Sequence, residues 1–200
     1  MKKILSLGLL TTSLLFSSDI TIDSIGINLG VSNSDYKQTN HQGTISLGNT
    51  PDKSFNSYEL YTVLNPLSDM CKEHDMKPYI SYTYSSNDEL QHQYLLVGIN
   101  KYYKHKDYNL YAGILGGYGQ VDWKYDPINN AKDKNVDANS FIAGIQLGAT
   151  YPIADKITLG LNTKYLIHDY ETNLNPSNTV SATIEHKDTL LLSFGINYSF

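Results

Sequence analysis

The chain has 200 residues, with fifteen lysines, no arginine, twenty Asp and Glu, and a formal net charge of −5. An acidic chain without Arg lacks the planar bidentate phosphate ligand, so nucleic acid is excluded as a partner. The single cysteine, Cys71, excludes an intrachain disulfide and a four-cysteine zinc site, and the length suits one domain.

Met1-Lys2-Lys3 precedes an uncharged apolar run from Ile4 to Phe16, followed by Ser17-Ser18-Asp19. A basic start, an apolar core and small residues predict a secretory signal peptide over residues 1–18, ahead of a mature domain over 19–200. The run is too short for a spanning helix, which takes about 20 apolar residues. Its removal takes away Lys2 and Lys3 and moves the formal charge to −7. No later segment is apolar for long enough, so a helical membrane protein is excluded. Cys71 lies far from the cleavage region, so a lipid anchor is not expected.

The mature chain alternates with period two, the signature of a strand between two unlike surroundings. Ile25, Ile27, Leu29 and Val31 alternate with Gly26, Asn28, Gly30 and Ser32. Tyr58, Leu60, Thr62 and Leu64 alternate with Ser57, Glu59, Tyr61 and Val63. After Pro78, Ile80, Tyr82 and Tyr84 alternate with Ser81, Thr83 and Ser85. Leu95, Val97 and Ile99 alternate with Leu96, Gly98 and Asn100. Leu110, Ala112, Ile114 and Tyr118 oppose Tyr111, Gly113, Leu115 and Gly117. Phe141, Ala143, Ile145, Leu147, Ala149 and Tyr151 oppose Gly144, Gln146, Gly148 and Thr150. Ile157, Leu159, Leu161, Tyr165 and Ile167 oppose Thr158, Gly160, Asn162, Lys164 and His168. Leu190, Leu192, Phe194, Ile196, Tyr198 and Phe200 oppose Leu191, Ser193, Gly195, Asn197 and Ser199. These eight strands predict an all-β fold.

The connections are unequal in a regular way. Those after strands 1, 3, 5 and 7 cover about residues 33–55, 86–92, 120–140 and 169–188. Those after strands 2, 4 and 6 cover about 65–77, 104–108 and 152–156, mostly shorter. Long loops at one end and turns at the other are the pattern of an eight-stranded antiparallel up-and-down transmembrane β-barrel. A soluble eight-stranded barrel would carry Lys and Glu on its outer strand positions. Here nearly every charge falls in a connection, and the polar faces are rich in Gly, Ser, Thr and Asn, small enough for a narrow interior. Tyr58, Tyr84, Tyr118, Tyr151 and Tyr198 lie near strand ends, where aromatic girdles form.

The last eight residues, Ser193-Phe194-Gly195-Ile196-Asn197-Tyr198-Ser199-Phe200, resemble the C-terminal β-signal of bacterial outer-membrane proteins. The pattern matches at Ser193, Gly195, Tyr198 and Phe200. With the signal peptide and the strand count, the chain resembles the small OmpA/OmpX-like eight-stranded barrels of Gram-negative bacteria. The resemblance implies an outer-membrane location and recognition of the last strand by the barrel assembly machinery. It also implies contact with outer-membrane lipid and lipopolysaccharide, as a monomer.

An eight-stranded barrel is just wide enough for side chains to fill it. Glu59 and Lys164 are the charges deep within strands, both on the polar face, and an interior charge needs a partner. They are expected to face the lumen and to pair, with Tyr61, Tyr111, Gln146 and Asn162 lining the same space. The expected function is that of a plugged barrel with a structural or adhesin-like role through its long loops, not an enzyme. One alternative is a small-solute channel of the porin-like, OmpW-like kind. The other is a lipid A-modifying enzyme resembling PagP or PagL. Its candidates would be His168, Asp169, Glu185 and His186, with Ser177 and Ser181 between them, although the His-x-Ser pairing of the deacylases is absent.

No catalytic residue, cofactor or metal site is expected. Asp133, Asn135 and Asp137 imitate the start of a calcium loop, but Ala138 stands where Gly is required and Gly144 where Glu is required. Cys71 and His74 have a ligand-like spacing without a second pair. His41, His92 and His105 are scattered. The four long connections sum to −6 and the turn around Lys101, Lys104, Lys106 and Asp107 to +2. An acidic outer surface suits divalent cations between lipopolysaccharide molecules, or a surface ligand held by the loops.

Overall fold

A computed structural model describes residues 20–42, 54–88, 90–124, 137–177 and 180–200. The expected signal peptide, Asp133 and Asn135 lie outside the described residues. Eight strands are present: β1 (Ile22–Gln42), β2 (Ser54–Leu64), β3 (Met76–Ser86), β4 (Leu90–His105), β5 (Tyr108–Trp123), β6 (Asp137–Ala154), β7 (Ile157–Ser177) and β8 (Val180–Ser199). A short helix, α1 (Asp69–Glu73), sits in the β2–β3 connection, capped by the Ser68 hydroxyl accepting from the Cys71 N–H. No helix among the described residues is long and apolar enough to cross a membrane.

Each strand pairs antiparallel with its chain neighbour, and β8 pairs with β1 to close the barrel. Closure leaves no backbone edge, which is what lets strands lie in hydrocarbon. The alternation faces as the sequence predicts. Ile27, Leu29, Leu60, Val97, Ile114, Phe141, Ile145, Leu161, Leu192 and Phe194 are exposed on the outer wall. On β8 the outward apolar set runs from Leu190 to Phe200. Ten rises of about 3.4 Å, tilted by about 40°, make a band roughly 25 Å tall, the height of an outer-membrane hydrocarbon core.

Within that band the outward positions of Ile25–Val31, Phe141–Tyr151, Ile157–Ile167 and Leu190–Phe200 carry no charge. An Ile145→Lys change is therefore expected to cost about 2–4 kcal/mol of stability in a bilayer. Asn139→Lys, on an exposed position of the same strand above the band, should cost almost nothing. Urea titrations of both variants in lipid vesicles check this, and equal midpoints would show that position 145 does not face lipid.

The strands outrun their predicted ends. β1 continues to Gln42, β5 to Trp123 and β7 to Ser177, while β6 starts at Asp137 and β8 at Val180. Much of the segments expected as loops at 33–55, 120–140 and 169–188 is ladder, with Thr172 paired to Ile184 and Thr39 to Thr183. Above the apolar band both faces of a strand can be polar, so the hydropathy signal fades while the hydrogen bonds continue. At the other end the turns are tighter than expected. Lys106-Asp107 joins β4 to β5, with Lys106 at φ 48°, and Asp155-Lys156 joins β6 to β7.

The interior also departs from a small polar filling. Tyr94, Leu96, Leu115, Ile142, Leu166 and Leu191 point inward and are buried. All but Leu191 belong to an apolar layer that crosses the lumen, with small polar residues such as Ser81, Thr83 and Ser193 around it.

Candidate functional site in the barrel interior

The lumen has four levels from the turn end to the loop end: a cavity, a buried polar group, the apolar layer and a histidine cluster. Glu59 on β2 and Lys164 on β7 both point inward and form an ion pair through Glu59 Oε1. Tyr79 on β3 joins them: its hydroxyl donates to Glu59 Oε1 at 2.7 Å and accepts from Lys164 Nζ at 2.9 Å. Asn28 Nδ2 on β1 donates to Glu59 Oε2 at 2.7 Å, and Thr83 Oγ1 lies 3.4 Å from Oε1. Three strands, β1, β3 and β7, thus supply four donors to one carboxylate. That saturation is what makes a buried charge tolerable, because each unmet lone pair would be lost hydration.

Gly195 is part of this arrangement. A Cβ built there would lie 2.2 Å from the Ile27 carbonyl oxygen and 2.0 Å from Asn28 Oδ1. Only glycine lets β8 approach β1 while Asn28 reaches Glu59. Ser193 points inward and is buried, whereas Tyr198 and Phe200 lie on the outer wall with rings 5.4 Å apart in an edge contact. The four residues matching the β-signal are therefore divided between the two faces of β8.

Above the apolar layer, three histidines converge. His92 is flanked on β4 by Gln91 and Gln93, and His186 lies four residues beyond the start of the apolar band on β8, so both stand outside the membrane. His92 and His186 meet edge to face, with ring centroids 5.8 Å apart. His92 Nδ1 contacts the Tyr94 hydroxyl at 2.6 Å. His168 Nδ1 lies 3.1 Å from the His186 carbonyl oxygen, and its Nε2 lies 2.8 Å from Thr189 Oγ1. Phe55, Tyr170 and Trp123 close around the cluster.

Burial pushes His186 down to about 4, helped by the neighbouring His168. Burial, then His186 and His168, hold His92 well below its ordinary value. The unfolded chain would take up these protons near pH 6.5. The folded chain resists them until about pH 4 at His186. Stability is therefore intact above about 6.5 and falls as pH drops from there toward 4. Amide exchange at β8 residues 184–186, corrected for the intrinsic rate, should be faster at pH 5 than at pH 7. Unchanged protection would mean that the imidazoles are more hydrated than their burial implies.

Among the described residues, those considered for lipid A chemistry are not assembled into a nucleophile–base–acid group. His168 and His186 face the lumen, Asp169 is exposed, and Glu185 pairs with Lys187 at 3.1 Å. The side chains of His41, Ser177 and Ser181 lie outside the described set. Cys71 and His74 fall on α1 and its C-cap. Among the described residues no group of three or more His, Cys, Asp or Glu is placed to hold a metal ion.

Below the central pair, a cavity of about 400 Å³ faces the turn end. Tyr61, Tyr102, Tyr111, Asn100, Asn162 and Lys77 are among its lining. Gln146, buried behind it, donates from Nε2 to Asn100 Oδ1 at 2.5 Å. Sequence reasoning placed Tyr61, Tyr111, Gln146 and Asn162 in the lumen. It put Asn28 and Asn100 on the polar face without a role, and it missed Tyr79 and the histidine convergence. Only the inward parity of those positions signalled them.

The closed barrel and its outward apolar band define an eight-stranded antiparallel outer-membrane β-barrel. No protein-family model matches the chain, and no curated protein matches it in sequence. Solved structures do match. Neisserial surface protein A (NspA) aligns with a TM-score of 0.61 at 12% identity, over 90% of this chain and 99% of that one. Ail, the attachment invasion locus protein of Yersinia pestis, aligns with a TM-score of 0.45 at 12% identity, over 89% and 100%. The outer membrane protease OmpT from Escherichia coli aligns with a TM-score of 0.43 at 10% identity, over 92% and 99%. The similarity to NspA carries the fold, and the apolar band carries the location in the bacterial outer membrane.

Proposed function

We propose that this barrel is a closed platform that presents its loop end to a surface ligand, rather than a conduit. The observation that carries the reading is the height of the β7–β8–β1 wall. Beyond Ile167, Leu190 and Val31, these strands continue to Ser177, back to Val180, and to Gln42. Asp35, Lys37, Asp169, Glu171, Asn173 and Lys187 are exposed on that extension. A hydrogen-bonded wall standing above the bilayer is a more rigid binding surface than a loop. Its acidic balance suits a cationic or cation-bridged partner such as neighbouring lipopolysaccharide.

Closure of the lumen supports the same reading. The Glu59–Lys164–Tyr79 group and the layer of Leu96, Leu115 and Leu166 both cross the path. Two measurements test the proposal. Planar-bilayer recordings of the purified barrel should give no discrete conductance steps. Charge reversal at Asp169 and Glu171 should reduce attachment of cells to their surface ligand several-fold while leaving the barrel heat-modifiable. Steady single-channel conductance would sink the platform reading in favour of a small-solute passage. Undiminished attachment would remove the wall as its binding surface.

A further inference from the structure

We propose that the turn-end vestibule is a binding site for a neutral saccharide. Its volume of about 400 Å³ sits at the small end of ligand pockets, about 300–1,000 Å³. The wall is built to keep that volume open. Tyr111 lies against Gly148, where an added Cβ would be 2.3 Å from its Cζ, and Tyr61 lies against Gly26 at 2.4 Å. Both rings are thereby held along the wall instead of across the lumen. Tyr102 stands beside Tyr111, centroids 5.5 Å apart at 37°. Phenol rings along a wall are the surface against which the C–H face of a pyranose packs.

Polar capacity is left over on the same wall. Asn162 is 3% exposed and its Oδ1 is unpartnered. Thr158 Oγ1 and Asn197 Oδ1, also in the lining, are unpartnered too. Two amide oxygens that accept and one hydroxyl that both donates and accepts call for a ligand that does both, as a hydroxyl does. A buried amide oxygen left unmet forfeits its hydration, so a polyhydroxylated ligand gains by satisfying it.

Charge decides the ligand class. Lys77 is neutralised by Asp23 at 2.6 Å, and Lys104 and Asp75 at the mouth have opposite signs. No excess of cations is available to hold a phosphate or a carboxylate. The site therefore favours an uncharged sugar over an anionic one. It lies at the opposite end of the barrel from the surface-ligand platform and stands independently of it.

Saturation-transfer NMR tests this on the barrel extracted from outer membranes into a detergent without a sugar headgroup. The probes are maltose and N-acetylglucosamine, with glucuronate as the anionic comparison. Transfer to at least one neutral sugar is expected. Its affinity should weaken by about tenfold in Tyr111→Leu, a loss of one aromatic contact, and in Asn162→Leu. Tyr111→Phe, which keeps the ring, should stay within about threefold of the native chain. Heat-modifiability confirms that each variant is folded; if Asn162→Leu fails to fold, the Tyr111 pair of variants decides. No transfer to either neutral sugar, equal transfer to glucuronate, or undiminished binding by Tyr111→Leu would each overturn the proposal.

Discussion

Lys164→Met is expected to destabilise the barrel by about 3–5 kcal/mol. The loss comes less from the missing attraction than from what stays behind. Glu59, 4% exposed, would keep its charge in the lumen with only Tyr79, Asn28 and Thr83 as donors. The double variant Lys164→Met with Glu59→Leu should recover most of the loss, because apolar side chains of similar volume often replace a buried pair at no net cost. Tyr79→Phe should fall between, at about 1–2 kcal/mol, since it removes one hydroxyl that both donates and accepts. Urea unfolding in vesicles compares the four chains. A double variant as unstable as Lys164→Met would mean that the pair is not what holds this layer.

Leu166→Ala is the second large effect, at about 2–5 kcal/mol. Leu166 is 0% exposed, on the lumen side of β7 and packed into the apolar layer. Neighbouring residues cannot collapse into the gap, because the closed ladder fixes the barrel's diameter. Leu161 on the same strand faces outward and is 53% exposed. At that position lipid chains can move into the space, so Leu161→Ala should cost well under half as much. Equal losses at the two positions would show that the interior layer is loosely filled.

These two sites separate what the sequence makes legible from what it hides. Inside the apolar band, lipid on one side forces strict alternation, so Ile145, Leu161 and Phe194 announce their outward direction. Glu59 and Lys164 stand out because charge within a strand is rare there. The contact between them depends on the register of the ladders between β2 and β7, three of them by way of β1 and β8, and alternation carries no register. Tyr79 is hidden for the same reason: after Pro78 it reads as one more strand tyrosine. Leu96, Leu115 and Leu166 look like exceptions on a polar face until closure brings them into one cluster. His92, His168 and His186 come from three strands, two of them in parts where alternation has faded. A register irregularity between Ile167 and Tyr170 re-phases β7 against β8, so simple counting from Leu190 fails above it.

The β1–β8 seam has a kinetic meaning as well as a geometric one. It joins Ser24 to Ser199 and continues through Asn28 and Gly195 to Gln42 and Ser181. No pairing could be more distant along the chain, and such contacts repay the entropy of loop closure last. Until they form, β1 and β8 each present a row of unmet amides that hydrocarbon cannot satisfy. A half-built sheet has no resting place in the bilayer. Insertion is then an all-or-none event with a slow, late step, and the nascent polymer must be shielded from misassembly until residues almost a whole sequence apart find one another.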